Sequence, residues 1–421
     1  MRRGALTLAL LVLGCGPKPT QSPISPRQVD PCLLPADTVN QLDSLTVALL
    51  EPVDFANVRS PANDSERLLF RNLFDTLVRL DCQGMVQPGM AESWRADSSG
   101  AAWIMTLPKK AAFPAAGRMS AHHAAGVLEA LALTDSMTVR ELRIDSAYAI
   151  DEQRLRVVMS DSLGDSVPRF LADPALVLIN ELPTGPGMGE PGFAIPTRGK
   201  LPAINFRYGL EQDPRDALDR EVDLLVTRDP LLLDYVSNRA EFSTFPLPWS
   251  RTYVLLEGST QVEDSFESLD RASVRSSLAK DAVRAASRAA EPPYWWNGRT
   301  DCTPPPPPPT RNRSLRIVYS RDDEVARGLA ERAVALARAS AGLRAVGLEE
   351  KELALAIRHD TERAYVIGLP YRSLAPCRDT SVWPRDVRAI PLIDTRAFAI
   401  VRKGAPPLTV DWDGALRVSD R

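Results

Sequence analysis

Apolar and polar residues alternate along this chain with two periods, and the change from one to the other marks out its elements. Leu45-Thr46-Val47-Ala48-Leu49-Leu50 is a short continuous apolar run, as expected of a buried strand. Asn63 with Glu66 three residues on forms a capping pair. It opens a helix whose apolar residues Leu69, Phe70, Leu73, Phe74, Leu77 and Val78 recur at helical spacing, predicting a helix to about Leu80. Asp81-Cys82-Gln83-Gly84 is a turn. Trp103 to Leu107 and Leu155 to Met159 are expected as strands, and Ser120 caps a helix through Leu128, Leu131 and Leu133. Glycine and proline concentrate between 183 and 199, which predicts a loop.

Further on, Ile204 to Tyr208 and Val222 to Val226 are expected strands on either side of a short helix, Pro214 to Arg220. A long helix is expected over Ser273 to Ala290. Pro304 to Pro309 is a run of six prolines, a stiff polyproline rod that sets the last part of the chain apart. Beyond it strands and helices alternate. Leu315 to Tyr319 is a strand, Glu324 to Ala339 a helix and Leu343 to Val346 a strand. Lys351 to Ile357 is a helix and Ala364 to Gly368 a strand. Such alternation predicts an α/β lobe with a mixed or parallel sheet.

The N-terminus has its own pattern. Arg2 and Arg3 precede an apolar run from Ala5 to Leu13, too short to span a bilayer permanently. Val12-Leu13-Gly14-Cys15 resembles the bacterial lipobox, in which the peptide before the cysteine is removed and its thiol lipidated. The resemblance implies a signal peptide over 1–14, lipidation at Cys15, and an anchored protein outside the cytoplasm. The alternative is an ordinary secretory signal ending near the same point. Residues 15–42, rich in Pro, Ser, Gln and Asp, are then the anchor and a flexible spacer.

Composition narrows the picture. The chain has 421 residues, room for two or three domains, and 44% hydrophobic residues, ordinary for a globular body. Its formal net charge is −3 and the charges are interspersed, which excludes the basic stripe of a nucleic-acid binder. After Cys15, the cysteines Cys32, Cys82, Cys302 and Cys377 remain, an even number in an oxidising compartment. Of three pairings, Cys32–Cys82 with Cys302–Cys377 keeps each bond within one half of the chain and is the one expected. No Cys/His spacing suits zinc, so no metal or cofactor is expected.

Within residues 66–131, Gly84-Met85-Val86-Gln87-Pro88-Gly89-Met90-Ala91-Glu92-Ser93-Trp94 resembles the pattern "G-x-v-x-P-x-l-A-e-S-W" of the extracytoplasmic solute-binding proteins of ABC importers, in particular the family of dipeptide- and oligopeptide-binding proteins (family 5). It follows Leu73-Phe74-Asp75-Thr76-Leu77-Val78-Arg79-Leu80-Asp81 and precedes Trp103 to Lys110, Phe113, Gly117 and Ser120-Ala121 in family order. Leu269-Asp270, Val274-Arg275, Leu278-Ala279 and Arg284 are similar to a later family helix, Thr184-Gly185-Pro186 to its crossover, and Glu324 to Gly342 to its late helix. The chain is a shortened version. The family's late "D-Y-p-D-P" stretch is absent where Cys377 to Trp383 stands, and His122-His123 replaces an acidic pair.

The resemblance implies an α/β, two-lobed periplasmic-binding-protein fold of the class II type, with mixed sheets and a hinge between lobes. The expected divisions are part of lobe 1 with a subdomain over 43–200, lobe 1 to the hinge over 201–300, and a Pro-rich linker over 301–312. Lobe 2 follows over 313–375 and a C-terminal return to lobe 1 over 376–421. It implies a monomer that binds a peptide or similar small solute between its lobes and hands it to an ABC permease and ATPase.

Two aromatic clusters are the candidate ligand contacts: Trp249, Arg251 and Tyr253, then Trp295 and Trp296. Tryptophan offers a large flat surface and an N–H donor, and arginine pairs with a carboxylate in bidentate fashion. The structural alternative is packing within or between lobes.

Other motifs carry less. His122 and His123, adjacent on a helix, point about 100° apart and are expected at the surface, with His359 far off in sequence. Ser277-Leu278-Ala279-Lys280 fits the S-x-x-K of penicillin-recognising acyl hydrolases, whose other motifs are missing. Asp411-Trp412-Asp413-Gly414 lacks the remaining calcium ligands and is expected to be a plain turn. The expectation is a binding protein, not an enzyme. The main alternative is a relative that has lost its ligand and serves as a scaffold.

Overall fold

Two six-stranded mixed sheets carry the body, and alternation along their strands decides what covers each face. The computed structural model describes residues 30–35, 42–98, 102–110, 112–113, 117–133, 144–159, 166–179, 192–197, 201–208, 213–220, 222–257, 266–282, 286–298, 314–337, 342–374 and 387–419. Residues 32–421 form one compact unit.

The first sheet has the order Gly192–Ile195, Ala203–Arg207, Ser44–Ala48, Leu224–Thr227, Phe398–Arg402, Phe242–Pro246. Ser44–Ala48 pairs in parallel with both its neighbours, and Phe398–Arg402 runs antiparallel between its own. Val47, Leu224 and Ala399 enter one core with the helix Asp64–Leu73. Ala48, Leu225 and Ile400, one residue on, face the helices Pro214–Arg220 and Pro230–Ser237.

The second sheet has the order Ser287–Ala289, Arg388–Thr395, Arg251–Glu257, Glu362–Pro370, Ser314–Ser320, Arg344–Leu348. Tyr253 and Leu255 pack beneath the helices Ala272–Ala282 and Glu324–Leu336, and Val254 and Leu256 beneath Glu350–His359. Arg251–Glu257 precedes the proline run in sequence yet sits at the centre of this sheet. A third core joins an antiparallel four-stranded sheet to the helix Ala121–Ala132. Within it, Ala102–Thr106 pairs with Arg154–Met159.

The N-terminal stretch read as a spacer is held from Cys32 on. Leu33–Leu34 pairs with Leu408–Val410, and a disulfide joins Cys32 to Cys82. Cys15, Cys302, Cys377, the glycine-rich stretch 183–191 and the proline run lie outside the described residues.

Two helices end sooner than their periodicity predicts. The first is capped by Asn63, whose side chain accepts from the Glu66 N–H, but it stops at Leu73. Phe74 is extended, and the carbonyls of Thr76 and Leu77 accept from the Met90 and Ala91 N–H groups, each at 2.9 Å. Those long-range bonds leave Leu77 buried just ahead of a strand, Val78–Leu80, rather than on a helix. The helix expected over 273–290 runs only from Ala272 to Ala282. Ser287–Ala289 instead pairs antiparallel with residues 393–395.

Candidate functional site

The chain crosses between the six-stranded sheets at 247–250 and again at 396–397. The crossings are tied together: Leu247 N–H donates to Ala397 O at 3.0 Å and Ser250 N–H to Thr395 O at 3.1 Å. Tyr371, just past a strand of the second sheet, donates its N–H to Ser250 O at 2.8 Å. A cavity of about 100 Å³ opens beside these crossings. Its walls include Arg59 and Arg67 from the first-sheet side, Pro370 and Arg372 from the second, and Trp249 and Ser250 from the crossing itself.

Two cations lie against the Trp249 ring. The guanidinium carbons of Arg288 and Arg396 lie 4.6 and 4.7 Å from its ring centroid. Arg288 is also paired with Asp394 at 3.1 Å and donates to the Tyr371 hydroxyl at 2.9 Å. Burial, together with the Arg288 charge, lowers the pKa of Arg396.

Arg251 and Tyr253 both face Asp323. Arg251 lies 3.8 Å from Asp323. The Tyr253 hydroxyl, on a side chain 1% exposed, donates to the same carboxylate at 3.0 Å. Burial, reinforced by Asp323 and opposed by Arg251, pushes the Tyr253 hydroxyl up to about 12, so it stays a donor at neutral pH.

Trp295 and Trp296 lie elsewhere. Trp296 is 5% exposed and stacks on Tyr294 with centroids 4.7 Å apart. Trp295 meets it edge-on at 5.4 Å, and its indole N–H donates to Pro370 O at 2.7 Å. Both pack on the face of the second sheet covered by Glu350–His359, with Leu353 and Ile357. The structure therefore brings Trp249 to the cavity, sets Arg251 and Tyr253 against Asp323, and places Trp295 behind Pro370.

A buried ion network underlies the crossings. Arg228 donates to the two carboxylate oxygens of Asp64 at 2.7 and 3.2 Å, to Ser250 Oγ at 2.8 Å and to Thr395 Oγ1 at 3.3 Å. Arg67 meets Asp64 at 3.2 Å. Burial opposes ionisation of Asp64, but Arg228, Arg67 and Arg251 outweigh it and hold its carboxyl well below the usual carboxylate range. Nearby, burial and the Asp64 charge raise the pKa of Glu51.

Arg59, Arg67, Arg228 and Arg372 were not singled out in the sequence. They are scattered over more than 300 positions and carry no local motif; only the fold assembles them.

Of the other sequence candidates, only the 411–414 turn reaches this site, where Trp412 and Asp413 line the cavity. His122 and His123 are exposed, His122 at 3.9 Å from Glu152 and His123 Nδ1 at 3.0 Å from Ser120 Oγ. Asp411 and Asp413 are held by arginines: Arg417 donates to Asp411 and Arg71 to Asp413, each at 2.8 Å. Ser277 and Lys280 are exposed on their helix. Among the described residues no group of three or more His, Cys, Asp or Glu side chains is placed to hold a metal.

No family model matches this sequence, and no curated protein does. Solved structures do match. NikA from Staphylococcus aureus, in complex with Ni(L-His)2, superposes with a TM-score of 0.63 at 12% identity, covering 90% of this chain and 98% of that one. NikZ from Campylobacter jejuni, in complex with Ni(L-His), gives 0.60 at 13% identity over 89% and 97%. A dipeptide binding protein from Pseudoalteromonas sp. SM9913, in complex with Met-Leu, gives 0.60 at 13% identity over 89% and 98%.

The fold is that of the two-lobed solute-binding proteins.

Such a fold matches nearly the whole length of its neighbours, and the paired crossings at 247–250 and 396–397 join its two sheets. Among the described residues no helix is long and apolar enough to cross a membrane.

Proposed function

We propose that this protein is the substrate-binding component of an ABC importer, tethered to the membrane outside the cytoplasm through lipidated Cys15. It binds a peptide or similar small solute between its sheets and delivers it to a permease and its ATPase. The observation that carries this reading is the cavity at the paired crossings, lined by Arg67 from the helix packed on the first sheet, by Trp249 and Ser250 from a crossing, and by Pro370 from a strand of the second sheet. Two hydrogen-bonded crossings form a hinge about which the halves rotate as rigid bodies, opening and closing the cavity. The structural neighbours, solved with a dipeptide or with nickel–histidine, support the same reading.

A thermal-shift screen against peptides, amino acids, sugars and metal chelates tests it. A ligand at a hundred times its dissociation constant adds about 2.7 kcal/mol of stability, a shift of a few degrees. Intact mass of the membrane-extracted protein tests the anchor: acyl chains on an N-terminal Cys15 are expected, and a Cys15→Ala protein that stays membrane-bound would count against it.

One observation favours the scaffold reading. The cavity, at about 100 Å³, is smaller than the ~300–1,000 Å³ of most ligand pockets. If the whole panel leaves the folded protein unshifted, the scaffold becomes the better reading.

A further inference from the structure

The charges around the crossings do not balance evenly. Arg67, Arg71, Arg228, Arg251 and Arg288 each face a carboxylate. Arg59 and Arg372 differ: among the described residues neither has a carboxylate within ion-pair distance, and both line the same cavity.

Their settings are complementary. Arg59 is half-buried, and Nη1 donates to the carbonyl oxygens of Ala175 and Val177, both at 2.9 Å. That fixes the guanidinium in place and leaves its Nε and Nη2 donors for another partner. Burial without a compensating carboxylate lowers the Arg59 pKa, the state an incoming anion would relieve. Arg372 is exposed two residues past Pro370, the end of a strand of the second sheet, with its guanidinium carbon 6.0 Å from the Tyr371 ring centroid.

The acids of the lining do not cancel these cations. Asp413 is engaged by Arg71 at 2.8 Å and lies 3.9 Å from Arg67. Asp173 Oδ1 accepts from the Ala175 N–H at 2.8 Å, capping a turn. Trp249 supplies a flat wall beside them.

The geometry points to an acidic solute as the ligand, one whose carboxylate or phosphate oxygens are taken by Arg59 from the first-sheet side and by Arg372 from the second. This rests on the solute-binding reading above and narrows it. Arginine meets either oxygen group with paired donors, and such charge-assisted bonds are the strong ones. Two arginines approaching one anion from opposite halves also make closure depend on the ligand, because without it the two cations repel.

The test is calorimetric binding to the full-length chain with five probes: Ala-Glu, Ala-Ala, Ala-Lys, Ala-Ala amide and glycerophosphate. Ala-Glu or glycerophosphate is expected to bind most tightly, and which one leads separates carboxylate from phosphate. Ala-Lys and the amide are expected to bind most weakly. Arg372→Gln is expected to weaken the leading probe by about 10-fold or more, the scale of one hydrogen bond to a charged group. Because Arg59 also holds the 175–177 turn, Arg59→Lys accompanies Arg59→Gln, with unfolding curves to confirm both remain folded; the lysine variant is expected to retain part of the affinity.

Equal binding of the amide and Ala-Glu, tightest binding of Ala-Lys, or an unchanged affinity in Arg372→Gln would overturn the acidic-ligand inference and leave solute binding intact. So would a sugar or metal chelate that binds when no acidic probe does. If nothing in the wider screen binds, the solute-binding reading falls with it.

Discussion

Arg228 holds the Asp64 carboxylate at 2.7 Å with one edge of its guanidinium and Ser250 Oγ at 2.8 Å with another. One side chain thus ties the first helix to the segment where the chain passes between sheets. Asp64 is buried and Arg228 half-buried, so the partners depend on each other. Removing one leaves an uncompensated charge, which typically costs ~3–5 kcal/mol. Arg228→Met is therefore expected to lower the urea midpoint strongly. Arg228→Met with Asp64→Leu should recover much of the loss, and a double variant no better than the single would refute the pairing.

Asp64 also sets a pH dependence. Its folded pKa is depressed below the ordinary aspartate value of about 3.9. The stabilisation is therefore fully present above that value and is lost as pH falls below it. Acid unfolding followed by circular dichroism is expected to begin in that range, and Asp64→Asn to flatten this part of the profile.

Gly89 stands where the backbone leaves no room. A Cβ there would lie 2.4 Å from Thr76 O and 3.0 Å from Leu77 O. These are the carbonyls that end the first helix by bonding Met90 and Ala91. Gly89→Ala is expected to cost about 1–3 kcal/mol, as overpacking does. A thermal melt within a degree of the parent would contradict this contact.

The Cys32–Cys82 disulfide closes a loop of separation 50 and pins the N-terminal strand beside the turn at 81–84. Its loss is expected to cost roughly 2–4 kcal/mol. Melting Cys32→Ser/Cys82→Ser beside the parent, both without reductant, checks it; a variant that melts with the parent would contradict this.

Ser277 and Lys280 test the hydrolase alternative. Both are exposed, and substitutions at such surface positions usually change stability by less than ~0.5 kcal/mol. Ser277→Ala is expected to leave stability and solute binding unchanged. A penicillin-type ester that acylates the parent but not this variant would reopen the enzyme reading.

What could be read from the chain was whatever a few neighbouring residues settle among themselves. Asn63 caps its helix because the accepting oxygen and the Glu66 N–H are three residues apart. Ser120 does the same for His123 N–H. Pro214 to Arg220 is a helix as its local pattern predicts. Leu77 and Val78 show where this stops. Their spacing suits a helix, but the partners that claim their backbone, Ala91 for Leu77 and Pro88 for Val78, lie beyond the turn at 81–84. Ser287–Ala289 left its helix for the same reason, drawn to residues more than 100 positions on.

The site follows the same division. Sequence alone pointed to the aromatic and basic stretch around Trp249 and Arg251, and to the α/β class of the whole. It could not separate Trp249, which reaches the cavity, from Trp296, which packs against Leu353 and Ile357. Nor could it bring Arg59 together with Arg372, or Arg228 with Asp64. Helix caps, strand periods and turn residues are decided by bonds between near neighbours. A cleft exists only where two sheets meet, and its charges are chosen by contacts that no local spacing encodes.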